Sequence, residues 1–195
     1  MSEGFTKSKI EDAVITVPAN FNENQRQSTI EAAENAGLNV LRIINEPTAA
    51  AITYALQHKD IKKKNILIFD LGAGTFDVSV VEINDGIIVV KSTCGNSHLG
   101  GEDFDNEIKK ICISKFKEET NIDVTNNLRA NIRLKIACEE AKERLTNEFE
   151  TTIDISNLGD NKNFNFQINR VDFEEYCNEL FNKLIFLYMI LYIIK

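Results

Sequence analysis

An apolar run that ends in a glycine turn between two aspartates constrains the fold of this chain more than any other stretch. Residues 65–77 read NILIFDLGAGTFD. The continuous apolar run Ile66–Phe69 predicts a central strand that is covered on both faces. Gly72 and Gly74 allow the backbone to turn sharply after that strand and to expose its N–H groups. The strand is therefore expected to end inside the body of the protein.

The polar side chains around this turn suit a phosphate group accompanied by Mg²⁺. Thr75 offers a hydroxyl, and Asp70 and Asp77 offer the oxygen ligands that a hard cation prefers. A tight hairpin whose two acids are merely solvated accounts for the same residues equally well. These residues alone leave both interpretations open, so the rest of the sequence has to decide between them.

The composition is that of an ordinary globular protein. The chain has 195 residues, of which 43% are hydrophobic and 27% charged, which suffices for one or two domains with a buried core. The net charge of −8 argues against nucleic-acid binding, because such a surface needs a basic face to neutralise phosphates. An anionic nucleotide would therefore need a metal ion or local N–H groups.

The cysteines and histidines favour neither a disulfide framework nor a zinc site. The cysteines form no C-x-x-C pair and the histidines show no zinc-ligand spacing, which favours reduced cysteines in a cytosolic protein. The first residues, MSEGFTKSKIED, contain no apolar segment typical of a signal peptide. The four cysteines are Cys94, Cys112, Cys138 and Cys177, and the two histidines are His58 and His98.

The first part of the chain alternates strands and helices. Residues 13–17 predict a short strand, and residues 22–25 (NENQ) carry a helix-start signal for a helix that Gly37 ends. Residues 38–44 predict a second strand. Pro47 then occupies a first-turn position of a second helix, which an alanine-rich sequence continues. The order is therefore strand, helix, strand, helix.

Three consecutive strands and two helices are expected next. Strand 65–70 leads into an alternating strand over residues 76–83, and residues 84–86 (NDG) predict a tight hairpin into residues 87–92. Apolar residues then recur at helical spacing in two segments. The predicted buried residues are Phe104, Ile108, Ile111 and Phe116 in the first helix, and Leu128, Ile132, Ile136, Ala141 and Leu145 in the second.

A second hairpin and a helix follow. Residues 150–156 and 163–168 predict two strands, and Asn169 is placed to cap the helix after them. No internal repeat or low-complexity linker interrupts this order. The predicted buried stripe of the helix consists of Phe173, Cys177, Leu180, Phe181 and Leu184.

Four separated motifs favour the phosphate interpretation of the glycine turn. Together they closely resemble the nucleotide-binding domain of the seventy-kilodalton heat-shock protein chaperones, which belong to the actin and sugar-kinase superfamily. The resemblance runs almost without interruption from about Ala13 to about Phe181. In chain order the motifs are VPANFNENQRQ (17–27), INEPTAAA (44–51), DLGAGTFD (70–77) and HLGGEDFD (98–105).

The resemblance implies a fold and a division of the chain. The expected fold is α/β, an actin-like ATPase (ribonuclease H-like) fold that is incomplete and comprises the end of lobe I plus the first part of lobe II. Residues 1–60 would be the last part of lobe I, residues 61–181 part of lobe II, and residues 182–195 a non-family apolar tail. An earlier phosphate hairpin with a catalytic lysine and a later adenosine loop, both typical of the family, are expected to lie outside the chain.

The resemblance also implies an ATP-binding, ATP-hydrolysing molecular chaperone that assists protein folding, with ATP or ADP and Mg²⁺ as cofactors. The catalytic residues would be Asp70, Thr75 and Glu46, of which Glu46 helps to place the attacking water. Asp70 and Asp77 would hold the hydrated Mg²⁺ through water. The turn that wraps the phosphates would consist of Gly72, Ala73, Gly74 and Thr75.

Further residues match nucleotide-binding and coupling positions of the family. Gly100 and Gly101 resemble a second phosphate-side turn at a helix start, where free N–H groups favour anions, although a plain helix cap explains them as well. Pro18 and Arg26 match a pair that couples nucleotide state to the substrate-binding domain, although neither residue needs a function to be where it is. The matches to adenosine contacts, on one helix face, are Glu139, Lys142 and Thr146.

Three residues depart from the pattern of the family. Ala73 stands where a third glycine is usual, so its methyl group requires a negative φ at this position. Glu143 replaces a basic or apolar side chain that packs along the adenine in many members, which puts the affinity for adenosine in doubt. Asn20 replaces a frequent aromatic residue.

The tail and the partners complete the expectations. The 11 unbroken apolar residues from Leu184 to Ile194 are fewer than the about 20 that a membrane span needs, so we expect no span and an end produced by truncation or readthrough. The implied partners are nucleotide and, through the full-length protein, unfolded clients and co-chaperones, but no nucleic acid. The implied location is cytoplasmic, because residues 91–105 look more like cytosolic members than organellar ones.

Two other functions stay open on the sequence alone. One is a different member of the superfamily, such as a sugar kinase or a filament protein, against which residues 17–27 and 98–105 weigh. The other is a catalytically inactive fragment that binds only co-chaperones or intact chaperones. An ATPase assay separates this last function from a working chaperone ATPase.

Overall fold

A computed structural model describes residue 4, residues 6–58 and residues 63–193, without the side chains of residues 190–193. The boundary predicted between residues 60 and 61 and the last two residues of the predicted tail lie outside this range. The strands are β1 (Asp12–Val17), β2 (Asn39–Asn45), β3 (Lys63–Leu71), β4 (Phe76–Asn84), β5 (Ile87–Asn96), β6 (Glu150–Gly159) and β7 (Lys162–Asn169). The helices are α1 (Glu23–Asn35), α2 (Glu46–Gln57), α3 (Gly101–Thr120), α4 (Leu128–Arg144), α5 (Arg170–Tyr176) and α6 (Asn178–Ile193).

These elements form two compact units. The first unit contains the described residues up to His98 together with the end of α6 from Leu187, and the second unit runs from Leu99 to Phe186. In the first unit β1 and β2 are parallel, and β3, β4 and β5 form an antiparallel sheet in that order. In the second unit β6 and β7 form an antiparallel hairpin. The architecture is mixed α/β, as predicted.

Helix α1 begins and ends where the sequence predicts. The Asn22 side chain accepts a hydrogen bond from the Gln25 amide at 2.9 Å, and the Gln25 side chain accepts one from the Asn22 amide at the same distance. This reciprocal pair satisfies backbone donors that a helix start leaves unpaired. Gly37 follows the helix with a φ of +84°, in the left-handed region that glycine tolerates best.

The turn between β4 and β5 is the one that residues 84–86 predict. Asp85 and Gly86 have φ values of +46° and +84°. Two positive values in succession are typical of the type I′ turn, whose twist matches that of the strands it connects. The prediction of a tight hairpin is therefore confirmed.

The burial of the three-stranded sheet differs from the prediction. The expectation that β3 is central and covered on both faces is wrong, because β3 lies at the edge of the sheet and β4 in the middle. Leu67 and Phe69 on β3 are 48% and 51% exposed, whereas Phe76 and Val78 on β4 are fully buried. An apolar run does not specify how many strands flank it, since that depends on the tertiary structure.

A hydrophobic core fills the second unit. Helices α3 and α4 each present an apolar stripe to the β6–β7 hairpin, in keeping with their helical periodicity. Phe116 of α3 packs edge-on against Phe164 of β7, with ring centroids 5.8 Å apart. The buried members of the core are Ile108, Cys112, Phe116, Val124, Ala130, Leu134, Cys138, Ala141, Leu145, Ile153, Ile155, Leu158, Phe164 and Ile168.

The buried face of α4 is only partly the predicted one. Ala141 and Leu145 are buried as expected, but the prediction is wrong for three residues nearer the start of the helix. Leu128, Ile132 and Ile136 are 75%, 53% and 52% exposed. The residues that face the core instead follow them by two positions, which is about 200° around a helix. Leu134 and Cys138 are therefore buried where Ile132 and Ile136 were expected.

Two helices replace the single helix predicted after β7. Asn169 caps α5 as predicted, since its side chain accepts a hydrogen bond from the Asp172 amide at 3.0 Å. The helical structure is interrupted at Cys177, between α5 and α6. Within the predicted stripe, Cys177, Leu180 and Leu184 are buried.

The end of α6 belongs to the first unit as far as it is described. Within that unit the Cys94 thiol donates a hydrogen bond to the Leu187 carbonyl at 3.2 Å. Met189 is 53% exposed. Of the helices in the described part of the chain, none combines the length and the apolar character needed to cross a membrane.

Candidate functional site

The turn at residues 72–75 closes the β3–β4 hairpin and is open to solvent. Leu71 and Phe76 form the last register pair before it, and the Gly72 amide donates a hydrogen bond to the Thr75 carbonyl at 2.9 Å. Ala73 does not adopt a positive φ, in keeping with the requirement of its methyl group. A Cβ added at Gly74 would meet no atom within 4 Å. The protein therefore leaves space beside this turn that a ligand can enter.

Asp70 and Asp77 face each other across the two strands that hold the turn. They are register partners in the β3–β4 ladder, an arrangement in which like charges repel. Asp77 is only 3% exposed, whereas Asp70 is partly exposed. Burial and the nearby Asp70 carboxylate raise the pKa of Asp77.

Two groups of the loop after β1 oppose that shift. The backbone of Ala19 and the side chain of Asn20 hydrogen-bond to Asp77 and lower its pKa relative to burial alone. The Asn20 amide Nδ2 donates to Asp77 Oδ1 at 2.8 Å. Sequence reasoning noted Asn20 only as a departure from a family pattern. Since 57 positions separate the two residues, no local signal could have paired them.

Glu46 adds a third carboxylate to this field. It is the first residue of α2, followed by the buried Pro47. Burial raises the pKa of Glu46, and the Asp70 and Asp77 carboxylates raise it further. The three acids therefore repel one another, and an added cation would relieve that repulsion.

The described residues do not surround this site with a cage of metal ligands. In the part of the chain that the structure describes, no group of three or more His, Cys, Asp or Glu side chains could hold a metal ion. Converging negative charge without a ligand cage suits a cation that keeps its water shell, as Mg²⁺ often does. Asp70 and Asp77 fit that role, because they lie opposite each other beside the open turn.

The predicted coupling residues hold the loop that carries Asn20. Pro18 is buried. The Arg26 guanidinium donates to the Phe21 carbonyl at 3.0 Å and to the Ala19 carbonyl at 3.2 Å. Arg26 therefore fixes the backbone on both sides of Asn20.

The remaining predicted site residues lie in the second unit. Gly100 precedes α3, and its amide donates to Asp103 Oδ2 at 2.8 Å, so this N–H group already has a partner. Gly101 is the first residue of the helix. Both glycines act as a helix start in this structure, which is one of the two roles expected for them.

Lys142 is engaged by its own unit. Its ammonium lies 2.7 Å from Asp105 Oδ1 and donates to the Gly101 carbonyl at 3.1 Å. Asp105 is 3% exposed, and that oxygen has the ion pair with Lys142 as its only described polar contact. Lys142 therefore neutralises a buried carboxylate at the start of α3.

A cavity of about 270 Å³ lies beside two of the three predicted adenosine contacts. Lys142 and Thr146 both line it, whereas Glu139 is exposed on the surface of α4. Glu143, the acidic departure from the family, is also exposed. The other lining residues are Leu145, Arg170, Phe173, Glu174 and Phe181.

Comparison with known proteins settles the family. A family model described as Hsp70 protein matches residues 1–188 of the 195. The chain belongs to the Hsp70 family. Its mixed α/β architecture is consistent with part of the actin-like nucleotide-binding ATPase domain of an Hsp70, which confirms the predicted fold class. The match ends seven residues beyond Phe181, where the motif resemblance ends.

Curated Hsp70 relatives share about half of the residues. A heat shock 70 kDa protein of Penicillium citrinum is 54% identical over 172 residues, which are 88% of this chain and 34% of the relative. Heat shock 70 kDa protein 2 of Paracoccidioides lutzii is 51% identical over 92% of this chain and 28% of the relative. A ribosome-associated molecular chaperone of Nakaseomyces delphensis is 49% identical over 93% of this chain and 30% of the relative. The chain thus spans about a third of the length of these Hsp70 relatives.

Proposed function

We propose that this chain supplies the phosphate and Mg²⁺ side of the ATPase site of a cytoplasmic Hsp70 chaperone. The observation that carries the proposal is the open turn at residues 72–75 between the facing carboxylates of Asp70 and Asp77. Family membership makes nucleotide the expected ligand. It also leaves the sugar-kinase and filament alternatives without support.

The turn would bind the phosphates through its backbone and through Thr75. Backbone N–H groups and a hydroxyl can approach a phosphate closely only where no side chain intervenes, and the space beside Gly74 is free. The turn carries no positive charge of its own. A cation is therefore needed to offset the charge of the phosphates, and Asp70 and Asp77 would hold Mg²⁺ through water.

Glu46 would orient the attacking water. Mg²⁺ and ATP, when bound, supply the electrophilic phosphate and most of the charge neutralisation. Phosphoryl transfer depends mainly on positioning and electrostatics, so a strong general base is not required. Glu46 is the first residue of α2 and precedes the buried Pro47. Its backbone is therefore held in place, and its carboxylate can accept a hydrogen bond from the water.

A chimera tests this function in a complete protein. Residues 13–181 replace the aligned segment of the Penicillium citrinum relative, which is 54% identical to this chain. We expect the chimera to hydrolyse ATP, and Asp70→Asn or Thr75→Ala to slow hydrolysis at least tenfold, since each removes a fixed group from the reacting site. Single-turnover phosphate release measures the effect.

Asp85→Asn is the matched control. Asp85 is a carboxylate of the same sheet, exposed in the turn at its other end, and asparagine tolerates the positive φ there. This variant should keep the rate of the parent chimera. Unchanged rates in both Asp70→Asn and Thr75→Ala, or a folded chimera without hydrolysis, would contradict the proposal. The second outcome would favour a fragment that binds only co-chaperones.

A further inference from the structure

Asn20 makes one hydrogen bond that the proposed function does not use. Its amide Nδ2 donates to Asp77 Oδ1 at 2.8 Å, although Asn20 itself is exposed and Asp77 is almost completely buried. A surface side chain therefore reaches in to hold one oxygen of a buried carboxylate. The amide carries no charge, so it orients the carboxylate without neutralising it.

The backbone opposite Asp77 is shaped to admit this contact. Gly95 is the register partner of Asp77 on β5. A Cβ at Gly95 would collide with the Phe76 carbonyl and would lie 2.5 Å from Asp77 Oδ1 and 2.7 Å from Asn20 Nδ2. Any side chain at this position would have to displace the hydrogen-bonded pair. The close approach of Asn20 and Asp77 thus depends on a glycine at position 95.

The loop that carries Asn20 is itself held in place. Arg26 donates hydrogen bonds to the carbonyls of Ala19 and Phe21, the two neighbours of Asn20. The Phe21 amide donates to the Pro18 carbonyl at 3.2 Å, which closes a turn around Asn20. The donor is therefore presented from a rigid backbone rather than from a free loop.

We propose that Asn20 is a positioning residue that fixes the Asp77 carboxylate for Mg²⁺-dependent nucleotide binding. The inference rests on the proposed function, because it takes Asp77 as a group that holds hydrated Mg²⁺. Asn20 binds Oδ1 and, together with the Ala19 backbone, restrains rotation of the carboxylate, so that its remaining acceptor positions keep one orientation toward the water shell of the cation. Partners that orient metal-binding carboxylates in this way typically change metal affinity by about 10–100-fold when they are removed.

Asn20→Ala and Asn20→Asp, made in the chimera, test the role of the amide. ADP affinity is measured by calorimetry with Mg²⁺ and again with a chelator. Asn20→Ala should weaken ADP binding about tenfold in Mg²⁺ and leave metal-free binding unchanged. Asn20→Asp should also change the Mg²⁺-dependent affinity, because it keeps the shape of asparagine but replaces the donor with a second carboxylate.

Asn39→Ala is the matched control. Asn39 Nδ2 donates to Asp12 Oδ1 at 2.7 Å, so it forms the same kind of pair in the same unit, but both residues are exposed. This variant should change neither affinity. Thermal unfolding of all three variants separates a loss of folded protein from a loss of metal-dependent binding.

Each result counts for or against the inference. If the parent chimera binds Mg-ADP and Asn20→Ala leaves the Mg²⁺ dependence of ADP affinity unchanged, the positioning role is overturned. The proposed function is then still intact. Equal behaviour of Asn20→Asp and the parent overturns it as well, since a packing role tolerates an isosteric side chain. A parent that binds no Mg-ADP contradicts the proposed function and this inference together.

Discussion

The two units differ in how completely they bury their apolar side chains. The second unit encloses its core between α3, α4 and the β6–β7 hairpin, with Phe116 and Leu134 fully buried. The first unit leaves apolar side chains of β3 half-exposed, Phe69 among them. Burial of apolar surface is the main stabilising contribution to folding, so the second unit should contribute most of the stability of the chain.

The predicted site residues show the same contrast in their charges. In the second unit Lys142 is paired with the buried Asp105. In the first unit Glu46, Asp70 and Asp77 have no salt bridge to a cationic side chain within the described residues, and the pKa values of Glu46 and Asp77 are raised. The comparison teaches that a predicted binding residue can be used by the fold itself or kept available for a ligand. The carboxylates of the first unit are the ones that the proposed function assigns to a ligand.

The largest expected effect comes from the core. Phe116→Ala should lower the free energy of unfolding by about 3–5 kcal/mol, because it removes a fully buried ring and leaves a cavity. Phe69→Ala, at a ring that is 51% exposed, should cost less than about 1.5 kcal/mol. Urea unfolding of the full chain measures both. Similar losses for the two variants would break the contrast between the units.

The buried ion pair of the second unit comes next. Lys142→Met should destabilise by about 2–3 kcal/mol, because Asp105 then stays buried without a counter-charge while Lys142 is itself only partly buried. The control is Lys135→Met, whose partner Glu102 is exposed, and it should cost less than about 1 kcal/mol. Adding Asp105→Asn to Lys142→Met should restore part of the loss. A lack of any such recovery would mean that lost packing dominates.

The smallest expected effect concerns Glu46 in the first unit and the pH dependence of stability. Because the pKa of Glu46 is raised in the folded state above its ordinary 4.5, the folded chain binds more protons, and this residue lowers stability as pH rises through the interval above 4.5. Glu46→Gln should therefore stabilise the chain at pH 7 by about 0.5 kcal/mol, after allowance for solvent screening. The gain should vanish near pH 4.

Glu23→Gln is the control for this prediction. Glu23 is likewise the first residue of a helix, and its carboxylate is favourable near the helix start. Glu23→Gln should therefore not stabilise the chain at pH 7. Thermal unfolding at pH 4 and pH 7 compares the two variants. A gain at both pH values in Glu46→Gln would point to helix propensity rather than to relief of repulsion.

Signals that act over a few residues were readable from the sequence. The helix start at residues 22–25, the cap at Asn169 and the turn at residues 84–86 all occur as predicted. Each depends on atoms within about three positions along the chain, where backbone geometry leaves few alternatives. The failures concern other features: β3 is less buried than expected, the first part of α4 buries a different face, and two helices replace the single helix predicted after β7.

The sequence by itself determined the family, the order of most elements and the position of the glycine turn. Only the tertiary structure decided that Leu134 rather than Ile132 enters the core, because both lie on apolar stripes of one helix and the packing partner selects between them. It alone brought Asn20 to Asp77 and Lys142 to Asp105. Such pairs join residues far apart in the chain, and their contact depends on strand register and helix packing, which no local pattern specifies.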